Sequence, residues 1–90
     1  MAALTFQIEF VMPERGYVLA RALEASIAFR LIDGSKLGGY PVEPRYLDIP
    51  RAKNSDGTQR TDLFAFLLKE REHAARLRAG DLVELTDWRD

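Results

Sequence analysis

Between Leu4 and Met12 an apolar side chain stands at every second position: Leu4, Phe6, Ile8, Phe10 and Met12 alternate with Thr5, Gln7, Glu9 and Val11. A period of two fits a strand with one face in a core and does not fit a helix, whose faces repeat every 3.6 residues. Pro13-Glu14-Arg15-Gly16 follows. Proline presets one backbone angle and glycine accepts positive φ, so the chain is expected to reverse here and return as an antiparallel partner beginning at Tyr17.

Residues 17 to 32 are less distinctive. Tyr17, Leu19 and Leu23 fit one face of a strand, while the alanines and the length also suit a buried helix. Arg21, Glu24, Ser26 and Arg30 scatter around a helical wheel instead of forming one polar stripe, which favours two strands broken near Glu24–Ser26. Three charges in this stretch also disqualify it as a membrane span. The amino terminus has no basic start followed by an apolar block, so the chain reads as a mature form without a secretory signal.

Asp33-Gly34 and Gly38-Gly39 punctuate the next segment, and prolines 41, 44 and 50 remove backbone donors from any central ladder. A short edge strand over Tyr46–Ile49 is the expectation there. Arg51 to Arg60 is polar, rich in turn formers and without periodicity, hence an exposed, mobile loop.

Two readings of residues 61 to 80 stand side by side. Thr61-Asp62 is suited to cap a helix over 62–79 that runs through Leu63, Phe64, Leu67, Ala74 and Leu77 to Gly80. Equally, Leu63–Leu68 is an apolar run with two phenylalanines that suits a strand buried on both faces, followed by a short charged helical turn at Glu70–Leu77. Asp81–Thr86 is a late strand on either reading. The fold class is therefore all-β with a helical turn near 70–77, or else α+β with one helix packed on an antiparallel sheet, as a single domain over residues 1–90.

Composition narrows the function classes. The apolar share of 47% suits a chain that folds around a core, and 13 basic against 14 acidic side chains give a net charge of −1, which offers no long-range attraction to a polyanion. The absence of cysteine removes disulfides, thiol nucleophiles and zinc thiolates, and is compatible with a reducing, cytoplasmic location.

The run Pro13-Glu14-Arg15-Gly16-Tyr17-Val18-Leu19-Ala20-Arg21-Ala22-Leu23-Glu24 resembles a hairpin of the β-barrel domain that follows the GTPase domain in elongation factor Tu and other translational GTPases. Ala75-Arg76-Leu77-Arg78-Ala79-Gly80-Asp81-Leu82-Val83-Glu84-Leu85 resembles the closing element of that barrel, where an Ala-Gly-Asp turn precedes the last strand. The resemblance implies a closed six-stranded antiparallel barrel with Leu63–Leu68 as a strand, acting as a stand-alone module that binds RNA, the ribosome or a protein. No Gly-Lys-Ser/Thr phosphate loop is present, so the GTPase activity of the family does not carry over.

Catalytic chemistry has little to build on. His73 is the only imidazole and sits among Arg71, Glu72, Ala74 and Ala75, which reads as a solvated surface side chain. Serines 26, 35 and 55 lie outside any nucleophile elbow, and no second ligand stands at metal spacing, so neither an enzyme nor a metal or cofactor site is expected. Gly34-Ser35-Lys36-Leu37-Gly38-Gly39 reads as a hairpin end and not a phosphate loop. The candidate binding residues are the turn and loop cations Arg15, Arg51, Lys53 and Arg60, together with Tyr40 and Tyr46 beside the prolines. Arg71, Arg76 and Arg78 form a second basic group diluted by acids, and Trp88 is another freer aromatic. The rival to an RNA or protein ligand is an accessory subunit that self-associates through an exposed strand edge.

Overall fold

In the computed structural model, which describes residues 3–24, 29–48 and 53–89, the chain forms a closed antiparallel barrel of six strands. They are β1 (Leu4–Met12), β2 (Tyr17–Ala22), β3 (Arg30–Leu37), β4 (Tyr40–Asp48), β5 (Leu63–Leu68) and β6 (Leu82–Arg89), and their order around the wall is β1-β2-β5-β4-β3-β6. Short 3₁₀ helices at Pro13–Arg15 and Arg71–Arg76 complete the elements.

The alternation in β1 holds as far as Ile8 and then breaks. Leu4, Phe6 and Ile8 are buried, but the ladder to β2 shifts register between Ile8 and Phe10. One extra residue reverses the facing of every side chain that follows. Phe10 therefore pairs with Leu19 and lies 49% exposed, not in the core as the sequence pattern predicts. The expected reversal at Pro13–Gly16 and the partner strand from Tyr17 are both present, with Gly16 at φ +69°.

Of the two strands expected between residues 17 and 32, β2 ends at Ala22 as the first, while β3 begins only at Arg30 and runs on to Leu37; Ser26 lies outside the described residues. Asp33-Gly34 does not turn the chain. It sits in a large bulge of β3, because Leu31 pairs with Trp88 and Lys36 with Thr86, leaving residues 32 to 35 opposite Asp87 alone. The fully buried Ser35 pins this irregularity: its hydroxyl accepts from the Ile32 N–H and donates to the Asp87 carbonyl at 2.6 Å. Asp87 itself has φ +58°.

The two-glycine turn at Gly38-Gly39 joins β3 to β4, with φ +61° and +86° matching the turn that suits a twisted hairpin. The short edge strand expected over Tyr46–Ile49 is corrected: β4 runs nine residues from Tyr40 to Asp48 between β3 and β5, and Ile49 lies outside the described residues. Pro44 is tolerated because the β4–β5 ladder shifts register between Val42 and Leu47, so its missing donor interrupts nothing there. Pro41 still contributes its carbonyl, which accepts from the Lys69 N–H.

β5 settles the alternative left open by periodicity. Leu63–Leu68 is a strand paired to β2 on one side and β4 on the other, and the single helix over 62–79 is not formed. Phe64, Phe66 and Leu68 enter the core, while Leu63 and Ala65 are buried outside the main cluster, as a strand covered on both faces requires. The charged helical turn follows at Arg71–Arg76 and places Ala74 and Leu77 in the core at the end of the barrel that also carries the Gly16 and Gly38-Gly39 turns. β6 extends beyond the expected Thr86, and Trp88 is buried in the wall instead of lying free in a tail.

Candidate functional site

Opposite the end plugged by Leu77, the barrel opens into a cleft of about 600 Å³. Its wall is formed where β1 and β5 begin and β2 ends, with Phe29 entering just before β3. Phe6, Phe29, Phe64 and Phe66 gather there, edge to face except for Phe29 and Phe66, which are stacked. Phe29 meets Phe64 at 5.1 Å and Phe6 at 5.8 Å between ring centroids, and Phe6 meets Phe66 at 5.3 Å. Edge-to-face packing sets the positive ring edge against the negative face of its neighbour, which fixes the cluster beyond simple burial. Phe29 is the half-buried member and Phe6 and Phe64 lie beneath the opening.

The polar rim consists of Arg21, Glu24, Thr61 and Asp62. Two backbone bonds seat it: Ala22 N–H donates to the Asp62 carbonyl at 2.8 Å, and Leu23 N–H donates to the Thr5 carbonyl at 3.1 Å. Thr5 N–H in turn donates to one oxygen of the Glu24 carboxylate at 3.2 Å.

An ion network runs from the rim down the outer wall. Arg60 holds Glu9 through both terminal guanidinium nitrogens at 3.1 and 2.8 Å, and its Nε binds Asp62 at 3.0 Å. Arg21 reaches Glu9 at 3.5 Å and donates to Gln7. Hydrogen bonding from Arg60 holds both the Glu9 and Asp62 carboxyls below their ordinary range, while the same carboxylates raise the affinity of Arg60 for its proton. Two guanidinium groups thus serve two carboxylates, and the salt bridges among the described residues give Glu24 no cation.

The binding residues singled out from sequence fall in several places. Arg60 is the centre of the network just described, half-buried and doubly paired. Lys53 is exposed at the base of a small tongue, bridged to Gln59 and closed by bonds from Asn54 N–H to the Thr58 carbonyl and from Thr58 to the Asp56 carboxylate. That tongue is the described part of the polar loop expected at 51–60, and Arg51 lies outside the described residues. Arg15 is exposed on the first 3₁₀ helix, at a shallow groove shared with Glu43, Lys69, Glu70, Arg71 and Glu72.

Tyr40 and Tyr46 are both half-buried. Tyr40 lies against the His73 ring at 4.7 Å, and Tyr46 packs edge to face on Tyr17 with their hydroxyls hydrogen-bonded. His73 is consequently not the solvated side chain expected: its Nδ1 is buried with no hydrogen-bond partner among the described residues, and its Nε2 stands 3.9 Å from Glu70. The rim residues Glu24 and Asp62 and the half-exposed Phe29 carry no local motif. Only the closure of the wall brings them together.

Fold and cleft together define a small six-stranded antiparallel barrel with an aromatic-floored mouth. The chain matches no protein-family model, no curated protein and no solved structure. No described helix is long and apolar enough to cross a membrane, and no three His, Cys, Asp or Glu side chains among the described residues are grouped to hold a metal ion.

Proposed function

We propose that this chain is a non-catalytic binding module of the type that the translation-factor barrels exemplify, and that its ligand is a segment of another protein held at the mouth. The observation that carries this reading is the pairing of phenylalanine rings below with carboxylates at the rim. Phe29, partly covered while Phe6, Phe64 and Phe66 are buried beneath it, gains from burying an apolar side chain, whereas a rim with surplus negative charge repels phosphate.

An RNA ligand asks for basic side chains gathered on one surface and free to meet phosphates. Here Arg60 is occupied by Glu9 and Asp62, the groove that holds Arg15, Lys69 and Arg71 carries Glu43, Glu70 and Glu72 against them, and Lys53 stands on a separate tongue. Self-association through a strand edge is also less supported, because closure gives every strand two neighbours and removes the edge on which such pairing depends.

The test sets the two ligand classes against each other on the same protein. Random peptides displayed on phage are panned against the immobilised chain, and bulk tRNA is titrated into the isotope-labelled chain at low salt. Enrichment of a peptide whose addition moves the amides of Ala22, Phe29 and Thr61 supports the reading. Salt-sensitive tRNA shifts centred on Arg15 and Lys53, with no peptide enriched, overturn it.

A further inference from the structure

We infer that the mouth is selective for a basic side chain, a lysine or arginine of the partner segment whose methylene stem lies on Phe29 and Leu23 and whose charged head pairs with Glu24. This rests on the reading of the mouth as a protein-binding site and names the chemistry it takes. Three observations carry it.

First, the charge count at the rim is uneven. Arg21 and Arg60 are committed to Glu9 and Asp62, so Glu24 is the rim carboxylate that forms no ion pair among the described residues. Second, Glu24 is held in place: Thr5 N–H donates to its Oε2, leaving Oε1 with no hydrogen bond from the described residues, so a ligand meets a carboxylate already oriented. Third, the surface beside that carboxylate is apolar. Leu23 is 43% exposed and Phe29 half-buried, each at the cleft. A side chain with an apolar stem and a cationic tip satisfies both parts at once, covering the ring while its head stays at the wet rim. A purely apolar side chain leaves Glu24 unpaired, and an acidic one adds like charge beside Glu24 and Asp62.

The probes are four acetylated, amidated tripeptides, Ala-Lys-Ala, Ala-Arg-Ala, Ala-Leu-Ala and Ala-Glu-Ala, titrated into the isotope-labelled full chain. The basic pair is expected to move the amides of Ala22, Leu23, Phe29 and Thr61 more strongly than the leucine peptide, and the effect is expected to weaken as salt is raised. Glu24→Gln is expected to lower affinity for the basic pair about three- to fivefold, the scale of one exposed ion pair, and to leave the leucine peptide unchanged. Glu72→Gln, away from the mouth, is expected to change nothing. Glu24→Lys provides a second variant, with preference expected to pass to Ala-Glu-Ala.

Equal binding of leucine and basic peptides, with Glu24→Gln silent, overturns the selectivity while leaving protein binding at the mouth in place. Failure of all four peptides to move any mouth amide, with no displayed peptide enriched, overturns both.

Discussion

Gly16 and Arg71 lie so close that a Cβ placed on Gly16 would stand 2.9 Å from the Arg71 Cβ and 3.0 Å from its Cα. Gly16 also holds φ +69° and accepts the Leu68 N–H on its carbonyl, so the β1–β2 turn is docked directly on the start of the second 3₁₀ helix. Gly16→Ala must displace backbone as well as adopt a strained angle, and a loss of about 2–3 kcal/mol is expected. Gly39→Ala is the control, with positive φ but nothing within 4 Å of the added carbon. It is expected to cost about 1 kcal/mol. Urea unfolding of the two variants checks the difference, and equal losses would mean that the contact with Arg71 yields freely.

Ser35 closes the opposed irregularities of β3 and β6. Ser35→Ala leaves the Ile32 N–H and the Asp87 carbonyl without the hydroxyl that serves them both, in a position that is fully buried. A destabilisation of about 1–2 kcal/mol is expected, because two backbone groups lose their partner at part-buried bonds while Asp87 itself lies open to water. The melting temperature measures it, and a shift of less than a degree would show that water or a backbone movement replaces the hydroxyl.

The Arg60 network gives stability a pH dependence of definite sign. Glu9 and Asp62 have folded pKa values below their ordinary 4.5 and 3.8, so the stabilisation is fully present above those values and is lost as pH falls through the lowered ones. Both carboxylates are about a third or more exposed, with side-chain exposures of 32% and 42%, so solvent screening limits the whole effect to about 1 kcal/mol. Arg60→Gln is expected to lose that much at pH 7 and to converge on the parent protein in acid, once both carboxylates are protonated, as followed by denaturant unfolding across the range.

His73 offers a change that removes a cost. Its Nδ1 is buried and has no partner among the described residues, while the ring lies against Tyr40. His73→Phe keeps an aromatic ring there and deletes the unpaired nitrogen, so stability is expected to hold or rise by up to about 1 kcal/mol. A loss greater than that in thermal unfolding would show that the contact of Nε2 with Glu70 matters more than its 3.9 Å length implies.

Several elements were legible because their information is local. The alternation from Leu4 to Ile8, the proline and glycine of the first turn, and the paired glycines at 38 and 39 each act on the backbone within a few residues. Others were illegible for the opposite reason. Nothing near Glu9 marks the register shift that turns Phe10 outward, since a bulge is defined by the partner strand. Prolines 41 and 44 argue locally against a central strand, yet β4 is one, because its ladder to β5 is interrupted where Pro44 falls. The short spacing of charges around His73 concealed its contact with Tyr40, a residue on another strand.

By itself the sequence determined that this chain alternates, turns and hides an apolar wall, since side-chain period and the backbone preferences of proline and glycine operate without knowledge of the fold. Tertiary structure alone decided where the Leu63–Leu68 strand pairs, and that Glu24, Phe29 and Asp62 share a mouth. The physical reason is that a strand's hydrogen bonds and a cleft's walls come from residues distant in the chain, so neither exists until the barrel closes.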